Sequence, residues 1–209
     1  MSTIARRGLC LVIAAPSGAG KSSIARALVA SEPGLALSIS VTTRPPRRGE
    51  QDGLHYHFRN QTEFDALVAE DKLLEWAHVF GRSYGTPRAP VEQALAEGCD
   101  VIFDIDWQGH HQIRAALPED VVGVFVLPPS LGDLEVRMRA RGDVDDREIE
   151  RRLAAARAEI THWPEFDHVL VNDAFDDAVA SVRAILQAAR FATPRQVGLA
   201  AFVSALGSA

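Results

Sequence analysis

Leu9-Cys10-Leu11-Val12-Ile13-Ala14-Ala15-Pro16-Ser17-Gly18-Ala19-Gly20-Lys21-Ser22-Ser23 is an apolar run that breaks into a glycine-rich turn. The first six residues, bounded by Gly8 and Pro16, have the continuous apolar character of a strand buried on both faces. From Ser22 to Ala30 the pattern becomes helical. A glycine-rich turn between a buried strand and a helix is the setting of a phosphate-binding loop. Its glycines let successive backbone N–H groups face phosphate oxygens, and the helix N-terminus adds partial positive charge. Lys21 then reaches the outer phosphates, and Ser22 is placed to ligate Mg²⁺. Ala15, at the first glycine of G-x-x-x-x-G-K-[ST], is the one departure from the pattern.

Outward from the loop, Val101 to Ile105, Val121 to Leu127 and Val169 to Val171 repeat the buried-strand character. Helical patterns cover Pro90 to Ala96, Gln112 to Leu117, Leu131 to Ala140, Arg147 to Ile160 and Phe175 to Arg190. Strands alternating with helices predict an α/β fold with a parallel sheet covered on both faces. Two stretches break the rhythm. Ser38 to Tyr84 holds short alternating pieces such as Leu54-His55-Tyr56-His57-Phe58, with turn signals at Pro45-Pro46 and Asp52-Gly53, which predicts an inserted β-rich unit. Pro128 to Arg152 opens with a cap-like Ser130-Leu131-Gly132-Asp133 and carries arginines 137, 139, 141, 147, 151 and 152 around an acidic turn.

The 209 residues, 47% hydrophobic, suffice for a real core, which sets aside disordered and fibrous classes. A net charge of -6 disfavours non-specific binding to nucleic acid or membrane. Cys10 and Cys99 make neither a disulfide framework nor a zinc pattern, and no apolar run is long enough to span a bilayer, so a reducing cytoplasm is expected. Of the 22 basic residues only Lys21 and Lys72 are lysines, so one lysine stands in the phosphate loop. His55, His57, His110 and His111 read as ordinary polar positions, without a third ligand at metal spacing. The three tryptophans read as packing residues. Period two puts Asp104 and Asp106 on one face at the carboxyl end of a strand, where parallel sheets bind ligands; the lesser alternative for Asp106 is the N-cap of a helix beginning near Trp107.

The phosphate loop specifies a nucleoside triphosphate, not its use. Ser40-Val-Thr-Thr-Arg44-Pro-Pro-Arg47-Arg48-Gly49-Glu50 and Asp52-Gly53-Leu-His-Tyr56 resemble the guanylate kinases, nucleoside monophosphate kinases of the P-loop class. The resemblance continues through Glu75-Trp76-Ala77, Tyr84-Gly85-Thr86, Asp104-Ile-Asp106-Trp-Gln-Gly109, Arg137-Met-Arg-Ala-Arg141-Gly142 and Val171-Asn172-Asp173, over residues 8–190. The bacterial members share the Ala-Pro-Ser-Gly-Ala-Gly-Lys-Ser loop. The resemblance implies a three-layer P-loop fold with a central parallel sheet, an inserted mixed β unit that binds GMP, and a helical lid. It divides the chain into a core (1–37, 95–128 and 164–190), a GMP-binding unit (38–94), a lid (129–163) and a tail (191–209). The tail is apolar from Val197 to Leu206 and could dock on the core or join a contact between copies.

The implied activity is transfer of the γ-phosphoryl of ATP to GMP, and by extension dGMP, giving ADP and GDP. ATP would sit on Ala15, Pro16, Ser17, Gly18, Ala19, Gly20, Lys21, Ser22 and Ser23, with Asn172 at the adenine side, although a turn asparagine reads as well. Ser40, Arg44, Arg47, Tyr56, Glu75, Tyr84, Thr86, Asp104 and Asp106 would bind GMP. The arginine forks and tyrosine hydroxyls would hold its phosphate. A Glu75 carboxylate can accept both the N1–H and N2–H₂ donors of guanine, which adenine lacks, while Ser40 and Thr86 offer hydroxyls. Lys21 with the lid's Arg137, Arg141 and Arg152 would neutralise charge on the moving phosphoryl, and Mg²⁺ would sit at Ser22 with Asp104 or Asp106 acting through water. Non-catalytic interaction modules share this fold, but there the nucleotide residues are degraded, whereas here they stand.

Overall fold

The computed structural model of the protein describes residues 4–79, 81–140, 142 and 145–207. In chain order the first elements are β1 (Cys10–Ala14), α1 (Lys21–Ser31), β2 (Leu35–Leu37), β3 (Val41–Thr42), β4 (His57–Phe58), α2 (Gln61–Ala69), β5 (Leu73–Val79) and β6 (Arg82–Pro87). There follow α3 (Arg88–Ala96), β7 (Asp100–Asp104), α4 (Trp107–Ala116), β8 (Val121–Leu127), α5 (Leu131–Ala140), α6 (Asp146–Ile160), β9 (His168–Val171), α7 (Phe175–Arg190) and α8 (Leu199–Leu206).

Five strands form an all-parallel sheet in the order β2-β7-β1-β8-β9, as the alternation of buried strands and helices predicts. Side chains of β1 alternate between two cores. Leu11 and Ile13 pack with Ile24 and Leu28 of α1 and Val182 and Leu186 of α7. Cys10 and Val12 pack on the other face with Val91 and Leu95 of α3 and Ile113 of α4. The continuous apolar run is thus the signature of a strand with no solvent face. The termini lie against this layer: Arg6 pairs with buried Asp100, Arg7 with Asp120, and Arg195 of the tail donates to the Gly8 and Glu119 carbonyls.

The inserted region forms a second sheet of four strands, β4-β3-β6-β5, with β3 and β4 parallel and the other pairs antiparallel. Phe64, Val41 and Leu73 make its small separate core. Gln112 clasps it to the main layer, accepting from the Trp76 N–H at 3.0 Å and donating to the Trp76 carbonyl at 3.1 Å.

Strand β2 and helix α8 have no counterpart in the sequence expectation, and three further local features differ from it. Helix α2 stands where only β pieces were expected; its signal is the capping box Asn60-x-x-Glu63, in which each side chain bonds the other's backbone N–H at 2.9 Å. Helix α4 begins at Trp107, five positions before Gln112, because Asp106 caps it by accepting from the Gly109 N–H at 2.9 Å. His110 is not an ordinary polar position: it is fully buried and stacked on Phe166, and burial, with Arg114 next, lowers its pKa to about 4. Ser130 and Asp133 do cap α5 as a reciprocal pair.

Candidate active site

The turn after β1 encloses a cavity of about 390 Å³ lined by Ala15–Gly18, Gly20–Ser22, Asp104, Asp106 and Glu159. Gly18 and Gly20 have φ of 95° and 100°, the left-handed region glycine enters without strain, and this reverses the chain into α1. Ala15 needs no such freedom, since its φ is not positive, so the departure from the loop pattern carries no strain. Ala19 is buried and Ser23 is exposed; neither lines the cavity. The Lys21 ammonium donates to the Ile105 carbonyl at 2.7 Å and pairs with Asp104 at 3.1 Å, while Asp106 serves both as helix cap and as cavity wall.

A second cleft of about 190 Å³ is lined by Ser22, Arg26, Ser40, Tyr56, Thr86 and Asp104 among others. Ser22 and Asp104 therefore face both spaces. Glu75 is 7% exposed beside this cleft and accepts a 2.7 Å hydrogen bond from the Thr86 hydroxyl, across the β5–β6 ladder. Burial pushes its carboxyl up to about 7, against the hydrogen bond, which favours the charged form.

Arg44, Arg47 and Tyr84 line a third hollow together with Arg82. Arg44 is held by Glu50 through bonds of 2.8 and 3.0 Å, and its guanidinium lies 5.3 Å from the Tyr56 ring centroid. Glu50 also accepts from the Arg47 N–H, so these contacts hold its carboxyl down at about 2. The Arg44-to-Glu50 turn is thus braced from within, and Tyr56 and Tyr84 meet edge to face at 6.2 Å.

The arginines expected in a lid are placed unevenly. Arg137 donates to the Asn172 carbonyl at 2.9 Å, and Arg152 bonds Glu148 at 2.7 Å, so neither lines the phosphate cavity. Arg141 lies outside the described residues. Asn172, expected at the adenine side or in a turn, is 5% exposed and donates from its amide to the Ala19 carbonyl at 2.7 Å.

Three residues escaped the sequence reading, Glu159, Arg26 and Arg82, and Glu50 was quoted in its motif without a role. Glu159 comes from α6, and burial raises its carboxyl while Lys21 opposes that shift. Its helix spacing alone marks an ordinary surface position. Arg26 lies four positions after Ser22 on the helix that leaves the phosphate loop, so helical spacing could have found it, as the period of two could have found Arg82 beside Tyr84; that Arg82 also stands beside Arg44 only the fold shows. Among the described residues no cluster of three or more His, Cys, Asp or Glu side chains could hold a metal alone, and no helix is long and apolar enough to cross a membrane.

Known proteins resemble this chain over most of its length. The family model described as guanylate kinase matches residues 7–189. A guanylate kinase of Granulibacter bethesdensis is 64% identical over 97% of this chain and 94% of its own, and one of Gluconobacter oxydans is 60% identical over 95% and 96%. Among solved structures, the crystal structure of guanylate kinase from Anaplasma phagocytophilum superposes with a TM-score of 0.78 at 33% identity, covering 96% of both chains. With sequence similarity running through nearly the whole length and the same fold beneath it, this chain belongs to the guanylate kinase family.

Proposed function

We propose that the protein transfers the γ-phosphoryl of ATP to GMP, giving ADP and GDP. The observation that carries this reading is that Ser22 and Asp104 line both the phosphate-loop cavity and the cleft beside Glu75, so the donor and acceptor sites share a wall. ATP would bind with its phosphates on residues 15–22, and GMP would enter with its base toward Glu75, Thr86 and Ser40. Its phosphate would lie toward Arg44, Arg47, Tyr56 and Tyr84, with dGMP accepted on the same contacts.

Phosphoryl transfer asks for alignment and charge neutralisation more than for covalent chemistry. A GMP phosphate oxygen is already an anion, so its attack needs no strong general base. Lys21 supplies a cation at the outer phosphates once it leaves Asp104, and the lid's Arg137, Arg141 and Arg152 would supply further ones on closure. The lid would also exclude water, a competing acceptor.

The donor set fits Mg²⁺, which takes oxygen ligands, keeps waters and needs only one or two protein groups alongside phosphates. The Ser22 hydroxyl would hold it, with Asp104 or Asp106 through water. Bound there, it would neutralise phosphate charge.

The division of labour follows the same reading: core 1–37, 95–128 and 164–190, GMP-binding unit 38–94 around the second sheet, lid 129–163 around α5 and α6, and tail 191–209. We place the enzyme in the cytoplasm, acting on small molecules, with neither nucleic acid nor membrane as partner. Exposed Val197, Val203 and Leu206 of the tail support a contact between copies. The test is ADP release from ATP and Mg²⁺ with GMP, dGMP, AMP, CMP, UMP and IMP as acceptors. GMP is expected to lead, and failure of GMP to stand out overturns the assignment.

A further inference from the structure

We infer that Asn172 is a positioning residue of the phosphate loop: its buried amide orients the Ala19–Gly20 peptide so that the Gly20 N–H faces a bound phosphate. The inference rests on the reading of residues 15–22 as the ATP phosphate site. In a planar trans peptide the carbonyl and the N–H point in opposite directions. Asn172 Nδ2 donates to the Ala19 carbonyl at 2.7 Å, so the N–H of the same peptide unit is turned away from Asn172. Gly20 lines the phosphate cavity, whereas Ala19 and Asn172 do not.

The fit is close. A Cβ at Gly20 would lie 2.4 Å from Asn172 Nδ2, so glycine at this position admits the amide as well as permitting the positive φ. Asn172 is itself fixed. Its N–H donates to the Leu127 carbonyl at 2.8 Å, at the carboxyl end of β8, and its carbonyl accepts from Arg137 of α5 at 2.9 Å. One residue therefore ties the main sheet, the lid helix and the phosphate loop. Without its amide the buried Ala19 carbonyl loses its partner, and the Ala19–Gly20 peptide is free to rotate.

This role differs from contact with the adenine ring, and a base-free ligand separates the two. Binding of ATP and of inorganic tripolyphosphate is measured calorimetrically on the wild type, Asn172→Leu, which keeps the volume but removes the donor, and Asn172→Ala. A hydrogen bond that serves a charged ligand predicts a loss of about tenfold to a hundredfold. Both variants are expected to lose it for both ligands alike. The KM for ATP rises correspondingly, while GMP affinity, which also reports that each variant is folded, stays at the wild-type value. Loss confined to ATP assigns the amide to the base and overturns the inference, as does unchanged binding of both ligands by either folded variant. Failure of the wild type to bind either ligand overturns the phosphate-loop reading instead.

Discussion

The Lys21 ammonium lies 3.1 Å from the Asp104 carboxylate and 2.7 Å from the Ile105 carbonyl, so the cation of the phosphate loop is held at the end of β7. A triphosphate on the loop competes with Asp104 for the same ammonium. Lys21→Ala removes a donor aimed at developing charge and is expected to lower kcat by about 10² to 10³. ADP release measures the loss, and an unchanged thermal midpoint shows that the fold is intact. Turnover at the wild-type rate overturns the role given to Lys21.

The role proposed for Glu75 predicts that GMP recognition depends on pH. Its carboxyl is held near 7 by burial, so the carboxylate proposed to accept two guanine donors forms only as pH rises through that value. GMP affinity should therefore strengthen from pH 6 to 8. In Glu75→Gln, which retains the ligand's own phosphate titration, that part of the profile should flatten. The variant should also lose about 10² to 10⁴ in kcat/KM for GMP and much less for IMP, which lacks the 2-amino group. Equal losses for both acceptors count against a base-reading role.

The same group leaves a mark on stability. Between its ordinary 4.5 and about 7 the folded chain keeps a proton that the unfolded chain has released. The contribution is therefore fully present below 4.5 and is lost as pH rises through about 7. It amounts to no more than about 3 kcal/mol. Urea unfolding of Glu75→Gln across this window is expected to show a shallower decline than the wild type, and parallel curves contradict the assignment.

Gly8 is required by closeness rather than by φ. A Cβ there would stand 2.0 Å from the Cys99 carbonyl oxygen, and backbone cannot yield as a side-chain end can. Gly8→Ala is expected to destabilise the protein by about 1–3 kcal/mol, with KM for both substrates unchanged in the folded fraction. A wild-type unfolding midpoint would contradict the close approach.

Asn60→Ala breaks the capping box of α2 and should lower stability by about 0.5–2 kcal/mol, read from the denaturation midpoint. Glu63→Gln, which keeps an acceptor at the third helical position, should lose less. A larger loss in Glu63→Gln contradicts the reciprocal cap.

Much of the main layer was legible because its signals are local. The run from Leu9 to Ala14 is apolar on both alternating faces, and the structure buries both. The bounds of α5 and α7 coincide with their periodic stretches, Leu131–Ala140 and Phe175–Arg190. Helix α2 was missed because a run of short strands is the stronger pattern around it, although its Asn60-x-x-Glu63 signal was present. The first turn of helix α4 is obscured in the sequence because Asp106 reads both as ligand and as cap; its bond to the Gly109 N–H establishes the cap while its side chain still faces the cavity.

By itself the sequence determined most strands and helices of the main layer, that a glycine-rich turn joins the first pair with a lysine in it, and where the basic residues cluster. Those properties depend on neighbours within a few positions. Only tertiary structure decided that Asn172 meets Ala19 across 153 positions, that Lys21 meets Ile105 across 84, and that Glu159 enters the phosphate cavity. It also decided that Glu75 titrates near 7, since desolvation depends on everything packed around a carboxylate and not on its neighbours along the chain.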